Sequence, residues 1–345
     1  MAVLSRRRKL WFAAVAVGTV AMLTVLAFLA ADVYVHQRTQ DIAGVNVWGY
    51  RGAPRGAKRP GEHRVVMIGG STVFGWGLPV HESIPAYLER RLNAAAADRS
   101  PRFSVINLGA PGEGAYGFAY ELADYAYLDY DLVCFYEGYN DLGPFTIRGR
   151  DNYLLWRRES PVFRLTGYYP ILPLVLREKA TAMLQGGSIS ADPSRVTFTP
   201  GLATRATAGA FRAAAQITNR LGGQVGGLSP VPPNPPVVEE CGGLWKHYCG
   251  SVRAAVAWAL ARDKRVMFVT QPYISDAHID QQANVAAMLR AAFGREPRFR
   301  YVNLGGVVDM TNRDLAYDGL HLIASGNDTV ASHLVDPVME LVRQK

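Results

Sequence analysis

Apolar positions along the chain fall into two regimes. Near the N-terminus, Leu10–Ala31 reads LWFAAVAVGTVAMLTVLAFLAA, a run without a single charge. Further on, short apolar bursts alternate with stretches in which apolar residues recur every three or four positions. The burst Val65-Val66-Met67-Ile68 stops abruptly at Gly69-Gly70-Ser71-Thr72, the pattern of a buried parallel strand that ends in a tight turn. Phe103–Leu108 repeats it before NLGAPGEGAYG, and Leu132–Tyr136 before Glu137-Gly138-Tyr139-Asn140-Asp141. Arg265–Thr270 and a short segment near Tyr301–Leu304 add two more. Between the bursts, Glu82–Ala97 carries Ile84, Leu88 and Leu92 at helical spacing. A helix of mixed Ala, Tyr and Leu is expected to about Tyr127, with others at Val252–Arg262, Gln281–Phe293 and about Ser325–Arg343. Strand, glycine-rich turn and helix thus recur, which predicts right-handed βαβ units and a parallel sheet.

After Gly143 this rhythm breaks. Residues 144–250 hold aromatic patches such as Tyr168-Tyr169-Pro170-Ile171-Leu172, a helix-like stretch near 202–221, and then GGQVGGLSPVPPNPPVV. A long irregular segment inside a domain reads as an insertion, serving as a lid, a binding surface or a packing elaboration. No internal repeat is visible.

The N-terminal run has its own logic. Its twenty-two residues span about 33 Å as a helix, enough to cross a bilayer core. Arg6-Arg7-Arg8-Lys9 precede it and would stay in the cytoplasm. The predicted organisation is a basic cytoplasmic tail at 1–9, a single-pass signal anchor at 10–31, a juxtamembrane linker at 32–62 and a domain at 63–345. That domain would face the periplasm or the cell surface. A cleaved signal peptide is the rival, but the run is long for one and lacks a clean A-x-A site. The linker ends in GYRGAPRGAKRPGEH, whose basic residues would stay solvated or lie against lipid head groups.

Composition narrows the class. Hydrophobic residues make up 49% and charged residues 19%, a globular balance with ample material for a large core. The formal charge of +8 falls to +4 once the four basic residues of the tail are set aside. With no later basic cluster among aromatics, nucleic-acid binding is unsupported. Cys241 and Cys249 bracket CGGLWKHYC, a loop suited to a disulfide in an oxidising compartment, while Cys134 lies in an apolar run as a buried thiol. Metal binding by Cys241, His247 and Cys249 lacks a nearby fourth ligand.

Every polar candidate for chemistry stands at the end of a predicted strand or on the last turn. Ser71 ends the first strand; Asn107, Gly109 and Gly112 follow the second; Asn140 and Asp141 follow the third; Asp318 and His321 precede the last helix. In a parallel sheet those ends share one rim, where ligands bind. Position 73 is Val, which excludes a G-x-S-x-G elbow, and no lysine follows Gly75 as a phosphate loop requires. Nor do these glycines fit the dinucleotide fingerprint, which disfavours a nucleotide-binding reading.

A serine hydroxyl needs a base, and imidazole is best poised to serve near neutral pH. His321 would be that base. Asp318, three residues earlier, would hold its second nitrogen. The N–H groups of Ser71 and Gly112 and the amide of Asn140 could face a developing oxyanion. Asp276-x-His278 is a second acid–histidine pair, expected to be exposed, and a metal site from Asp276, His278 and Asp280 is disfavoured. His81 and Glu82 read as a solvated helix start. Asp141 could instead cap a helix.

These residues resemble the SGNH (GDSL-type) hydrolase family over roughly 63–143 and 251–340. The four blocks are Gly69-Gly70-Ser71-Thr72, Asn107-Leu108-Gly109-Ala110-Pro111-Gly112, Gly138-Tyr139-Asn140-Asp141 and Asp318-Gly319-Leu320-His321. The resemblance implies a flavodoxin-like three-layer α/β/α sandwich of about five parallel strands. It also implies Ser71 as nucleophile, His321 as base, Asp318 as its partner, and Gly112 and Asn140 as oxyanion donors, with no metal or cofactor. One departure stands out: the family's usual Asp before the serine is Gly70 here, so the turn lacks a hydrogen-bonding carboxylate. The expected activity is a membrane-anchored extracytoplasmic serine esterase acting on small acyl esters of envelope sugars or on lipid-like esters. Its rivals are an O-acyltransferase that modifies envelope polysaccharide and a non-catalytic binding or assembly protein on the same scaffold.

Overall fold

Residues 5–42, 44–96, 102–142, 160–173, 176, 238 and 241–343 are described by the structure, a computed structural model. The helix expected near 202–221 and the Pro/Gly-rich run after it lie outside these residues. Contacts divide the chain into two compact units, residues 1–39 with 170–221 and residues 40–169 with 222–345.

In the first unit, α1 (Arg6–Thr39) is a 34-residue helix whose residues 6–31 are all exposed among the described residues. It is long and apolar enough to cross a membrane. The helix continues eight residues past the expected end of the anchor, because nothing from Asp32 to Thr39 breaks it; Asp32 and His36, one turn apart, are both buried.

The second unit is built on five parallel strands in the order β2-β1-β3-β4-β5. They are β1 (Glu62–Gly69), β2 (Arg102–Asn107), β3 (Leu132–Glu137), β4 (Arg265–Thr270) and β5 (Phe299–Asn303). Val65 lies opposite Val105 on one side and Leu132 on the other. Because both sheet faces are covered, the strands read as continuous apolar runs, and alternate residues feed two cores. Val65, Met67, Leu132, Cys134, Met267 and Val269 join one core with α3 (Ile84–Ala96) and α8 (Ala324–Arg343). On the other face Phe135 stacks on Phe118 of α4 (Phe118–Asp124) and meets Phe268. There α4 packs on α6 (Gly242–Leu260), and α6 on α7 (Asp276–Phe293). Two further helices are short: α2 (Ser71–Phe74) and α5 (Pro161–Thr166).

Two helix starts differ from the sequence expectation. α6 begins ten residues earlier than the apolar spacing suggests, inside the stretch read as insertion. Its first turns are a Gly-Gly pair and the cysteine loop, and Cys241 is bonded to Cys249 across them. α7 begins five residues early because Ser275 caps it, accepting the His278 N–H. The helix expected up to Tyr127 is α4 flanked by 3-10 turns at Ala115–Gly117 and Ala126–Leu128. The strand order reverses between β1 and β3, the switch point at which open sheets of this kind form a crevice.

Candidate active site

β1 ends at Gly69, and the chain turns at once into α2 with Ser71 as its first residue. The turn is tight because the backbones nearly touch. A Cβ on Gly69 would lie 2.2 Å from the Tyr136 carbonyl oxygen, and one on Gly109 would lie 2.4 Å from the Phe74 nitrogen. Gly75 closes α2 in the left-handed region, and both its N–H and that of Trp76 bond to the Ser71 carbonyl. Asn107 accepts from Gly109 N–H and donates to the Val73 carbonyl, so the end of β2 fastens the end of α2.

The histidine beside Ser71 comes from the loop before α8. His321 Nε2 lies 2.8 Å from Ser71 Oγ, and His321 Nδ1 lies 2.7 Å from Asp318 Oδ2. The other Asp318 oxygen accepts the N–H groups of Leu320 and His321. Burial pushes the Asp318 carboxyl up, but these hydrogen bonds outweigh it and hold the group below the usual carboxylate range. The Tyr317 ring stacks on His321 at 15° between planes, and its hydroxyl donates to the Trp76 carbonyl. Through Trp76 N–H on the Ser71 carbonyl, this ties the histidine loop back to the serine turn. Trp76, Tyr317 and Leu320 are themselves about 40% exposed, an apolar rim beside Ser71 and His321.

The asparagine turn follows β3. Asn140 Nδ2 donates to the Glu113 carbonyl at 2.7 Å, which leaves its second hydrogen. That nitrogen would lie 2.0 Å from a Cβ on Gly70, so the amide sits directly against the serine turn. Gly112 is exposed in the left-handed region, with open space around it. Neither its N–H nor that of Ser71 has an intramolecular acceptor among the described residues. The structure therefore brings Ser71, Asp318 and His321 into one hydrogen-bonded chain and sets Asn140 against Gly70.

Several residues hold this arrangement without having stood out in the sequence. Glu137, the last residue of β3, is fully buried and accepts the Gly70 N–H at 2.6 Å and the Asn140 N–H at 3.2 Å. Burial and the neighbouring Asp141 carboxyl push its pKa well up, against the pull of those backbone N–H groups. Gln271, just past β4, donates to Thr72 Oγ1 and accepts the Tyr139 N–H, joining the serine and asparagine turns from a third strand. Arg51 donates to the carbonyls of Phe74, Gly75 and Leu78, immediately after Ser71. Its pKa is lowered to about 10 by burial.

Two expectations are corrected. The 32–62 segment is not simply a solvated linker, because Tyr50 and Arg51 are buried and Arg51 bridges to Asn107 of β2. Its glycines and arginines read as loop composition, which hides an arginine whose partners are backbone carbonyls. His278 is not exposed: it is fully buried between Tyr139 and Tyr273, and burial lowers its pKa to about 4. The Ser275 cap turns that stretch into helix, so His278 faces inward while Asp276 and Asp280 stay in solvent. No group of three metal-ligating side chains occurs among the described residues. Asp141 caps the 3-10 turn at Ala115, whose N–H it accepts at 2.8 Å. His81 and Glu82 lie 3.9 Å apart on the partly exposed turn before α3.

No family model and no curated protein matches the chain. Among solved structures it is similar to a family 3 carbohydrate esterase of Clostridium thermocellum, at 13% identity and TM-score 0.41 over 82% of this chain and 98% of that one. It is also similar to a lipolytic protein of the G-D-S-L family from Desulfitobacterium hafniense DCB-2, at 12% identity and TM-score 0.39 over 79% and 98%. A third is the psychrotrophic esterase EstA from Pseudoalteromonas sp., at 11% identity and TM-score 0.42 over 82% and 100%. Likeness this distant leaves the chemistry to be judged from the side chains themselves.

Proposed function

We propose that the chain is a serine esterase, anchored in a membrane by α1, that cleaves small acyl esters through Ser71. The observation that carries this reading is the unbroken chain from Asp318 through His321 to Ser71, with contacts of 2.7 and 2.8 Å. Such an arrangement activates a hydroxyl that is otherwise a weak nucleophile. Ser71 Oγ attacks the ester carbonyl carbon while His321 Nε2 takes its proton. Asp318 holds the imidazole in the tautomer that leaves Nε2 free to accept, and stabilises the imidazolium once formed. The carbonyl oxygen becomes an oxyanion that faces the N–H groups of Ser71 and Gly112 and the Asn140 amide. As the tetrahedral adduct collapses, the ester C–O bond breaks and His321 returns the proton to the departing alcohol. Water then attacks the acyl-enzyme with His321 again as base, releasing the acid and restoring Ser71.

Transfer of the same acyl group to a sugar hydroxyl would use identical machinery, with the sugar in place of water. The exposed Trp76 and Tyr317 rings beside the serine offer apolar faces of the kind sugar rings stack on. Burial of the α1 run in a bilayer, with its basic end in the cytoplasm, would leave the site on the extracytoplasmic side. Envelope sugars and lipid-like esters are the substrates that this location supplies.

The test uses the full chain in detergent, treated with a fluorophosphonate and assayed on an acetyl ester. Label on Ser71 and turnover that disappears in Ser71→Ala, with an unchanged melting profile, are expected. A folded protein that neither takes the label nor turns over ester would sink the hydrolase reading and favour a binding role.

A further inference from the structure

We propose that Glu137 is a positioning residue of the Ser71 centre, whose buried carboxyl group at the end of β3 ties the serine turn to the asparagine turn. The inference rests on the esterase reading and adds to it the group that keeps the serine and asparagine turns in register.

Three observations lead to it. The first is reach. Glu137 Oε2 accepts the Gly70 N–H at 2.6 Å, and Oε1 accepts the Asn140 N–H at 3.2 Å. One carboxyl group therefore spans from β3 to the turn after β1 and fixes the residue before Ser71 and the residue that carries the oxyanion-facing amide. A cap for the turn Tyr139–Asp141 alone would explain the second bond but not the first, which crosses to another strand.

The second is exclusion. A Cβ on Gly70 would lie 2.0 Å from Asn140 Nδ2 and 3.1 Å from Glu137 Oε2. The space that a side chain at position 70 would need is already taken by Asn140 and Glu137. Glycine at position 70 is thus what the present arrangement of Asn140 and Glu137 requires.

The third is cost. Glu137 is fully buried, and no Lys or Arg pairs with it among the described residues. Its nearest charged neighbour is another acid, Asp141, which makes its ionisation harder still. A buried carboxyl without a cation is unfavourable for stability. Gln in its place would preserve shape and remove the ionisable group. An acid here fits the acceptor geometry, since each of its oxygens accepts an N–H, whereas an amide nitrogen can only donate.

Glu137→Gln tests this. Turnover of 4-nitrophenyl acetate is measured per fluorophosphonate-reactive site, so that a loss of folded protein does not count as a loss of rate. The expected result is kcat per site lower by about 10- to 100-fold, below the 10²–10³ typical of deleting an oxyanion donor outright, with KM within about two-fold. The melting temperature should be unchanged or higher. Wild-type kcat per site in a folded Glu137→Gln variant would overturn the inference while leaving the esterase reading intact. If that variant does not fold, Glu137→Asp takes its place, since the shorter arm keeps the carboxyl group but cannot span both N–H groups. The same fall in kcat is expected there, and wild-type kcat overturns the inference. A wild-type chain with neither label nor turnover would remove the esterase reading, and this inference with it.

Discussion

A methyl group added at Gly70 has nowhere to go. Asn140 Nδ2 occupies a point 2.0 Å from where the carbon would be, and it is held there by the Glu113 carbonyl. Gly70→Ala is therefore expected to push the Asn140 amide off the serine turn while leaving β1 and α2 folded. The rate should fall toward that of Asn140→Ala, about 10²–10³ below wild type, if that amide faces the oxyanion. Steady-state kinetics on both variants and on the double variant check it. Losses that multiply in the double variant would mean that the two positions act independently and would sink the account. At this scale the sequence was informative about the candidate site: Ser71, Gly112 and Asn140 are visible as polar or glycine positions after strands, and Asp318 and His321 as polar positions on the turn before the last helix. It was silent on Glu137, Gln271 and Arg51, each of which bonds at least one group far away in sequence. One clue was available for Glu137. An acid that closes the apolar run LVCFY must either leave the strand or find donors inside it.

Among the elements, the strands were legible because both sheet faces are buried, and a run such as Val65–Ile68 has no other ready explanation. Their starts were less so. β1 begins at Glu62, three residues before the apolar run, and its first turn of strand is held by polar contacts. There Arg64 Nε donates to Glu62 Oε1 at 2.9 Å, and Arg64 also bonds the Leu128 and Gly56 carbonyls. Burial raises the Glu62 carboxyl, but Arg64 and the Arg59 N–H overcome this and bring it down to about 2. A carboxyl whose folded pKa is depressed stabilises the fold above its unfolded value, and that contribution is lost as pH falls through the folded value. Stability should thus decline between about pH 4.5 and 2 through this group. Glu62→Gln should be less stable at neutral pH and show a shallower decline over that window. Denaturant titrations at several pH values check it; parallel pH profiles for the two proteins would rule it out. Two helices likewise start earlier than their apolar spacing suggests, since α6 and α7 begin within residues whose composition signals loop. A disulfide and a serine cap, neither of them a feature of hydrophobic spacing, decide where they begin.

For the molecule as a whole, the order of blocks along the chain and the strand order β2-β1-β3-β4-β5 agree: the switch between β1 and β3 falls where Ser71 and Asn140 emerge. Which side of a membrane this crevice faces is a separate matter, and the cysteines offer a way to read it. The chain has three, of which Cys241 and Cys249 are bonded and Cys134 is a buried free thiol. A disulfide persists in an oxidising compartment and is reduced in the cytosol. Burial drives the Cys134 thiol far above its ordinary pKa, so in the folded protein it is neither a thiolate nor accessible for exchange. If α1 places its basic end in the cytoplasm and the rest outside, full-length protein trapped in cells and denatured without reductant should take one maleimide. If the orientation is reversed, the same protein should take three. A mass shift of three maleimides on membrane-bound chain would overturn the extracytoplasmic placement, and with it envelope sugars as substrates. The proposed esterase reading, which rests on the hydrogen-bonded chain of Asp318, His321 and Ser71, would be unaffected.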